Sequence, residues 1–240
     1  MKNSRYYGEK LGLELTDKQC EMLDIYMDMV IEKNKVMNLT AITTEEDFVL
    51  KHFADSLSVA YAVPELKKKF EAGCTLADIG TGAGFPGLVL KIAFPEVKLT
   101  LIDALNKRVR FLDEVIERLG LDGVTTIHSR AEDGARKTEL RDTFDVVVSR
   151  AVAALPVLVE YCLPYAKVGG QLVSYKSGEI AEELKSADRA IKLVGGKLNG
   201  VPEMMLPDSD ISRSFVVIDK VKATPKAYPR KAGVIKKEPL

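Results

Sequence analysis

Cysteine, histidine and long apolar runs are all scarce in this sequence of 240 residues. Its three cysteines, Cys20, Cys74 and Cys162, are widely spaced and form no Cys-x-x-Cys pair, so we expect buried thiols in a reducing compartment rather than metal ligands. No segment approaches the ~20 consecutive apolar residues of a membrane-spanning helix, and the N-terminus shows no charged leader followed by an apolar stretch. These absences predict a cytoplasmic protein with no membrane span and no metal.

An excess of one charge is also absent, because lysine plus arginine and aspartate plus glutamate number 35 each. The overall charge therefore gives no indication of a nucleic-acid partner. The charges are unevenly distributed, however, since the segment from Lys220 to Leu240 contains seven basic residues and one acidic residue. This asymmetry is typical of a tail that faces a polyanion, whereas charge alone favours a solvated and poorly ordered terminus.

Two helices are predicted near the N-terminus. Thr16 and Gln19 form a capping-box pair, and apolar residues then recur at helical spacing to about Asn34. Three acidic residues follow Thr44 and favour the first turn of a second helix, which should run to about Ala62.

The chain is predicted to have two parts, a helical extension over residues 1–66 and a main domain over residues 67–240, with the run Lys67-Lys68-Lys69 as a solvated linker. From residue 75 onward, short apolar runs alternate with helical patterns, as in parallel α/β proteins. The predicted strands are 75–79, 98–102, 124–128, 144–149, 171–175, 197–201 and 215–221, and the predicted helices are 86–94, 107–119, 155–166 and 179–194. These elements predict one doubly wound, seven-stranded and mostly parallel sheet.

The segment Leu76–Gly87 has the pattern of a nucleotide-binding loop. An apolar run leads to Asp78, and glycines then occupy alternate positions at Gly80, Gly82 and Gly84. Such glycines let the chain turn sharply off a strand and lie close to a ligand. The third glycine comes one place too early for a dinucleotide fingerprint, and no Gly-Lys-Ser/Thr follows as in a P-loop. The acid and the lack of a basic residue favour S-adenosylmethionine; a nicotinamide or flavin site and a plain turn are the alternatives.

Polar residues at the ends of the next strands extend this site, because ligands of doubly wound sheets bind at the carboxyl ends of strands. Asp103 lies 21 residues after Gly82, where an acid accepts hydrogen bonds from ribose hydroxyls, although it also suits a helix cap. Ala131 and Glu132 follow the third strand and would lie beside an adenine ring. Arg150 ends the fourth strand and would hold the cofactor carboxylate or a substrate phosphate, with a surface ion pair as its alternative.

No side chain is predicted to act as a covalent catalyst or a general base. The only histidines, His52 and His128, lie on unrelated segments without a nucleophile-base-acid arrangement, and we expect His52 to brace helix packing. The fourth strand is followed neither by an Asp/Asn-Pro-Pro-aromatic cluster nor by a Pro-Cys pair. Methylation of an exocyclic amine, or of a pyrimidine through a covalent adduct, is therefore disfavoured.

Several segments together carry a family resemblance. They are Asn34–Thr40, His52 with Asp55–Leu57, Leu76–Gly87, Phe144–Ala151 with Leu155–Pro156, and Tyr228–Gly233. From about residue 30 to its end, the sequence resembles the RsmG (GidB) family of bacterial 16S ribosomal RNA guanine-N7 methyltransferases. The resemblance implies a Rossmann-like class I methyltransferase fold that binds S-adenosylmethionine.

The resemblance implies cofactor contacts at Gly80, Phe85, Ala131, Glu132 and Arg150. Gly82 and Asp103 join this set from the loop and from the strand rule. The implied substrate is one guanine in the decoding region of 16S ribosomal RNA, presented as RNA or as a small-subunit ribonucleoprotein. Guanine N7 has an exposed lone pair and no proton, which agrees with the absence of a histidine base.

Lys176 and the tail residues Arg230 and Lys231 are the predicted RNA contacts, through phosphate groups. Removal of Tyr228–Leu240 is expected to weaken RNA-dependent methylation and to spare cofactor binding. The chain departs from the family in Lys176-Ser177-Gly178, where glycine usually follows the lysine directly, and in Val234, where proline is common. Two other classes stay open from the residues alone: an NAD(P)-dependent oxidoreductase and a non-catalytic RNA-binding protein.

Overall fold

The computed structural model describes residues 3–42, 44–178 and 180–240 as helices arranged around one sheet. The helices are α1 (Ser4–Lys10), α2 (Asp17–Met37), α3 (Glu45–Phe48), α4 (Asp55–Ala62), α5 (Pro64–Glu71), α6 (Gly87–Ala93), α7 (Asn106–Leu119), α8 (Ala131–Gly134), α9 (Leu155–Cys162), α10 (Ala181–Leu193) and α11 (Ala232–Lys237). The strands are β1 (Thr75–Ile79), β2 (Lys98–Asp103), β3 (Val124–His128), β4 (Phe144–Arg150), β5 (Ala166–Lys176), β6 (Gly196–Gly200), β7 (Glu203–Met205) and β8 (Ser212–Lys220). Within these ranges, no helix combines the length and the apolar character needed to cross a membrane.

The strands follow the order β3-β2-β1-β4-β5-β8-β6, and β7 pairs with β8 beside that path. Pairs from β3 through β5 are parallel, whereas β8 is antiparallel to β5, β6 and β7. The predicted fold class is confirmed, with eight strands in the described residues because the short β7 was not predicted. Since β1 lies between β2 and β4, the winding reverses at β1, and the carboxyl end of this strand is where such sheets bind ligands.

Alternate residues of the central strands face two different cores. Leu76 and Val148 belong to the core on one face, while Ala77 and Val147 belong to the core on the other. Both faces of the parallel strands are therefore covered, which explains their near-continuous apolar runs. The first core includes apolar residues from all five helices α1 to α5, and the second includes residues from α9 and α10. The division at residue 66 stays a prediction.

The N-terminal region differs from expectation in four places. Helix α1 was not predicted, and α2 continues to Met37, where Asn38 adopts the left-handed conformation that ends a helix. The second predicted helix is divided into α3 and α4 by a π-helical turn, Val49–Ala54. The run Lys67-Lys68-Lys69 is not a linker, because it lies within α5, which buries the ring of Phe70 completely.

The C-terminal tail is packed against the second core, so the poorly ordered terminus favoured by charge alone is wrong. Ile235 of α11 is completely buried, and Arg230 forms an ion pair with the buried Glu160 of α9. Charge gave no indication of this arrangement because the partner carboxylate lies far away in the sequence. The predicted start of the last helix, Glu179, lies outside the described residues; α10 begins at Ala181.

Candidate functional site

The loop between β1 and α6 requires glycine at two positions. Gly80 and Gly84 have φ angles of +72° and +108°, which favour glycine. A Cβ atom at Gly80 would lie 2.6 Å from Cγ2 of Val152, and one at Gly84 would lie 2.5 Å from the hydroxyl oxygen of Tyr26. The loop therefore packs closely between α2 and the chain that follows β4. Gly82, with φ +63°, has open space around it.

Asp78, the acid before the glycines, holds the loop from inside. Its carboxylate is completely buried, and Oδ2 accepts hydrogen bonds from the Thr81 hydroxyl (2.7 Å) and from the Gly87 amide (2.8 Å). Oδ1 has no hydrogen-bond partner within the described part of the chain. Burial raises the pKa of this carboxyl to about 6. Asp78 thus fixes the conformation of the loop through buried hydrogen bonds.

Asp103 connects the end of β2 to the same loop. Its Oδ2 accepts a hydrogen bond from the Gly82 amide (2.9 Å), and its Oδ1 accepts one from the Leu105 amide (2.9 Å). The amide that Asp103 bonds belongs to Leu105, which precedes α7, and no side chain caps the first turn of α7. The alternative role of Asp103 as the cap of this helix is therefore wrong. Arg108 also donates to Oδ2 (3.5 Å), so it is Oδ1 that keeps a second lone pair to which a ribose hydroxyl can donate. The ribose contact stays a prediction.

A cleft of ≈ 340 Å³ lies at the carboxyl ends of β1, β2 and β3. Four predicted cofactor residues line it together: Gly80, Asp103, Ala131 and Glu132. Its volume falls within the range of small-molecule sites. Tyr161 of α9 and Lys236 of α11 also line this cleft, and neither was predicted from the sequence.

Phe85 is placed behind the cleft rather than in it. Its ring is 6% exposed and stacks on the imidazole of His52, with ring centroids 4.3 Å apart. The guanidinium carbon of Arg150 lies 5.3 Å from the Phe85 ring centroid. The phenyl ring therefore leaves the cleft open, and a cofactor contact at Phe85 would involve its main chain.

Arg150 is held by residues from the N-terminal helices. It donates hydrogen bonds to Oδ2 of Asp55 (2.8 Å) and to the Lys51 carbonyl oxygen (3.2 Å). Arg213 of β8 donates to the other oxygen of Asp55 (2.7 Å), so the two arginines share one buried carboxylate. Two guanidinium groups and one carboxylate give this cluster a net positive charge. The sequence did not reveal that Asp55 and Arg213 share this site with Arg150, because each lies far along the chain from Arg150.

The hydrogen bonds of His52 fix its tautomer. Its Nδ1 lies 3.2 Å from Nη2 of Arg150, which can only donate, so Nδ1 is the acceptor. Nε2 therefore carries the proton and donates to the Thr40 hydroxyl, 2.8 Å away. Burial, and then the charge of Arg150, lower the pKa of His52 to about 3. This histidine is neutral and has both nitrogens occupied, so it is no general base.

A second cavity of ≈ 680 Å³ lies next to the cleft. Four basic side chains line it, Lys51, Arg150, Lys176 and Arg213, together with the carboxylates of Asp55 and Glu183. Lys176, a predicted RNA contact, donates to Glu183 (2.7 Å) and to the Ala153 carbonyl oxygen (3.0 Å). The segment Ala151–Ala153 after β4 lines both cavities and forms the wall between them.

The family model for rRNA small subunit methyltransferase G, GidB, matches residues 19–212 of this chain. The chain belongs to this family. The resemblance inferred from the sequence is therefore confirmed.

Members of this family include close relatives in several bacteria. The ribosomal RNA small subunit methyltransferase G of Lachnoclostridium phytofermentans is 50% identical over 230 residues, which are 96% of this chain and 93% of the relative. The protein of the same name in Lactobacillus johnsonii is 49% identical over 231 residues, 96% of this chain and 95% of the relative.

Solved structures with the same fold share less sequence identity with this chain than these relatives do. MtNAS in complex with MTA and tNA is 18% identical, with a TM-score of 0.54 over 83% of this chain and 72% of that one. M. jannaschii TYW2 in complex with AdoMet is 16% identical, with a TM-score of 0.50 over 66% of this chain and 76% of that one. These similarities support the Rossmann-like fold.

Two predicted RNA contacts, Arg230 and Lys231, lie in the tail and line neither cavity. Arg230 donates to both carboxylate oxygens of Glu160, so its charge anchors the tail and is not free for a phosphate group. Lys231 is exposed directly before α11. The contact expected of Lys231 stays a prediction, and the one expected of Arg230 conflicts with this placement.

Candidate metal ligands and thiols are the remaining reactive groups of this chain. Among the described residues, no group of three or more His, Cys, Asp or Glu side chains is placed to hold a metal ion. All three cysteines are free thiols. Burial raises the pKa of Cys74 to about 11 and that of Cys162 to about 12, so both thiols are protonated at neutral pH.

Proposed function

We propose that this chain transfers the methyl group of S-adenosylmethionine to N7 of one guanine in the decoding region of 16S ribosomal RNA. The observation that carries the proposal is the pair of adjacent cavities with a common wall, Ala151–Ala153. One cavity suits a nucleoside and the other is basic. The donor and acceptor of a methyl group must meet at the edge of this wall, where the two cavities adjoin, with the reacting atoms ~3 Å apart.

The residues of the cleft suit the cofactor. The close approach of Gly80 to Val152 leaves main chain, without a side chain, at the end of β1. Asp103 offers acceptor oxygens at the end of β2, where doubly wound sheets bind ribose. Glu132 offers a carboxylate at the end of β3, suited to an exocyclic amine. S-adenosylmethionine supplies the electrophilic methyl group when it is bound.

The second cavity suits an RNA nucleotide. Arg150 and Arg213 share the single charge of Asp55, so this side of the site has a net positive charge. Contacts of such groups with phosphates supply affinity that falls with rising salt, while specificity for a folded RNA comes from its shape. We propose that the small-subunit ribonucleoprotein, in the cytoplasm, presents this guanine.

Transfer to N7 needs no general base. The lone pair of N7 lies in the plane of the ring and carries no proton at neutral pH, so no group has to remove one. The geometry agrees, because His52 is neutral with both nitrogens occupied and Asp55 is paired with two arginines. Acceleration then comes from alignment of the reacting atoms, which supplies ~7–11 kcal/mol at best.

The proposal is tested with the purified chain, tritiated S-adenosylmethionine and small subunits from a strain that lacks this protein. We expect one methyl group per particle, at a guanine that borohydride and aniline cleave as N7-methylguanine. Deproteinised 16S RNA in a parallel reaction separates the two forms of substrate. A chain that binds S-adenosylmethionine but methylates neither form would contradict the proposal. Binding of NADH in its place, seen by thermal shift, would favour the oxidoreductase.

A further inference from the structure

The beginning of the C-terminal tail is tied to the chain that follows α8. Arg141 donates to the carbonyl oxygens of Thr224 (2.7 Å) and Tyr228 (3.0 Å). Arg136 donates to the carbonyl oxygen of Pro229. Because these arginines donate to carbonyl oxygens of the tail, they fix its path. They also place the tail beside α8, which carries Ala131 and Glu132 of the cleft.

The tail is next clamped to α9 by Arg230 and Glu160. Glu160 is completely buried, and its Oε1 accepts from the Arg230 amide (2.7 Å) while its Oε2 accepts from the guanidinium (2.7 Å). The same guanidinium donates to the carbonyl oxygen of Glu238 (2.9 Å). Arg230 thus fixes the chain on both sides of α11 at once.

The clamp brings α11 to the edge of the cleft. Ile235 is buried in the second core, and its neighbour Lys236 lines the cleft. Tyr161, which follows Glu160 in α9, lines the cleft as well. The tail therefore connects two helices, α8 and α9, that both contribute to the proposed cofactor site.

We propose that α11 forms a wall of the cofactor cleft, where the ammonium group of Lys236 donates a hydrogen bond to an acceptor of the bound nucleoside, and that Arg230 positions this wall through Glu160. This inference rests on the proposed function. Lys236 touches the cofactor, whereas Arg230 acts only through α11. The tail is thus part of the cofactor site, in contrast to the expectation that its removal spares cofactor binding.

The direct test compares two adjacent lysines of α11. Calorimetric titration of the wild type, Lys236→Ala and Lys237→Ala with S-adenosylmethionine should give a dissociation constant about tenfold higher for Lys236→Ala, the loss of one charge-assisted hydrogen bond. Lys237 is exposed on the same helix and does not line the cleft, so Lys237→Ala should bind like the wild type. Equal affinities for all three proteins would overturn the inference.

The positioning role of Arg230 is tested by a double-mutant cycle. Arg230→Gln should raise the dissociation constant in the wild type and have little further effect when Lys236→Ala is already present. A purely structural role would lower the melting temperature and leave the two effects on affinity additive, which would overturn this part. Arg230→Lys, which keeps the charge, should bind better than Arg230→Gln. A wild type that binds no S-adenosylmethionine would instead contradict the proposed function itself.

Discussion

His52 and Asp55 stand one helical turn apart and hold Arg150 from two sides. Asp55 accepts a hydrogen bond from the guanidinium and shares its charge with Arg213, while His52 accepts a hydrogen bond from Arg150 without adding charge. A guanidinium fixed by a carboxylate and a neutral ring keeps one orientation, as a residue that positions substrate must. The sequence placed His52 among packing residues. Its hydrogen bond with Arg150 shows that His52 also supports a residue of the functional site.

The buried state of His52 predicts a pH dependence of stability. Its pKa is about 3 in the folded chain, and ~6.5 is usual for an unfolded chain. Between these values the unfolded chain binds more protons, so the free energy of unfolding falls as pH falls. From pH 7.5 to pH 5 the loss from His52 should be about 2 kcal/mol.

Urea denaturation at both pH values measures this loss. His52→Gln keeps an acceptor and a donor but does not titrate, so the wild type should lose about 2 kcal/mol more than this variant. His128→Gln removes an exposed imidazole and should behave like the wild type. Equal losses in the wild type and in His52→Gln would show that His52 is not held neutral.

At the scale of elements, α2 supports both ends of the segment that carries the glycine loop. Tyr26 donates from its hydroxyl to the carbonyl oxygen of Ala83 (2.6 Å). Gln19 donates to the carbonyl oxygens of Ile92 (2.8 Å) and Ala93 (3.0 Å), which end α6 and have no partners within that helix. An N-terminal helix thus fixes the loop and the helix that follows it.

Removal of the Tyr26 hydroxyl should weaken this support. Tyr26→Phe leaves the Ala83 carbonyl without its buried partner, so we expect a loss of about 1–3 kcal/mol in the free energy of unfolding. The loop is expected to loosen too, with weaker binding of S-adenosylmethionine by calorimetry. Tyr61→Phe is the matched control, because Tyr61 is 55% exposed. The role assigned to α2 fails if the two variants are equally stable.

At the scale of the whole molecule, the helices α1 to α5 and one face of the sheet share a single core. Leu23 of α2 and Phe70 of α5 belong to the same cluster as Leu76 and Leu88. Isolated residues 67–240 would expose this apolar face to water. Size and shared burial both favour one cooperative unit.

Cooperative unfolding is expected as a consequence. Far-UV circular dichroism and tyrosine fluorescence should report one coincident transition in urea, because both core faces belong to the same sheet. Two resolved transitions would show that residues 1–66 fold as a separate domain. Expression of residues 67–240 alone should yield a chain that aggregates or binds a dye for exposed apolar surface.

The sequence predicted those elements whose own residues determine them. The bounds of β1 and β3 match, because apolar runs between turn residues are local signals. The capping box of α2 is equally local. Short α8 and α11, the π-helical turn and β7 have no such signal. The partners of Arg150 and Arg230 lie 95 and 70 residues away along the chain, so only the folded structure reveals them.

Helix α11 has a thermodynamic consequence for the order in which two ligands bind. Lys231, Lys236 and Lys237 are all exposed on this short segment, and of the three only Lys236 lines the cleft. If the bound nucleoside orders α11 and a polyanion contacts the outer lysines, each ligand raises the affinity of the other by an equal factor. A chain already loaded with its methyl donor would then capture RNA more tightly than an empty one.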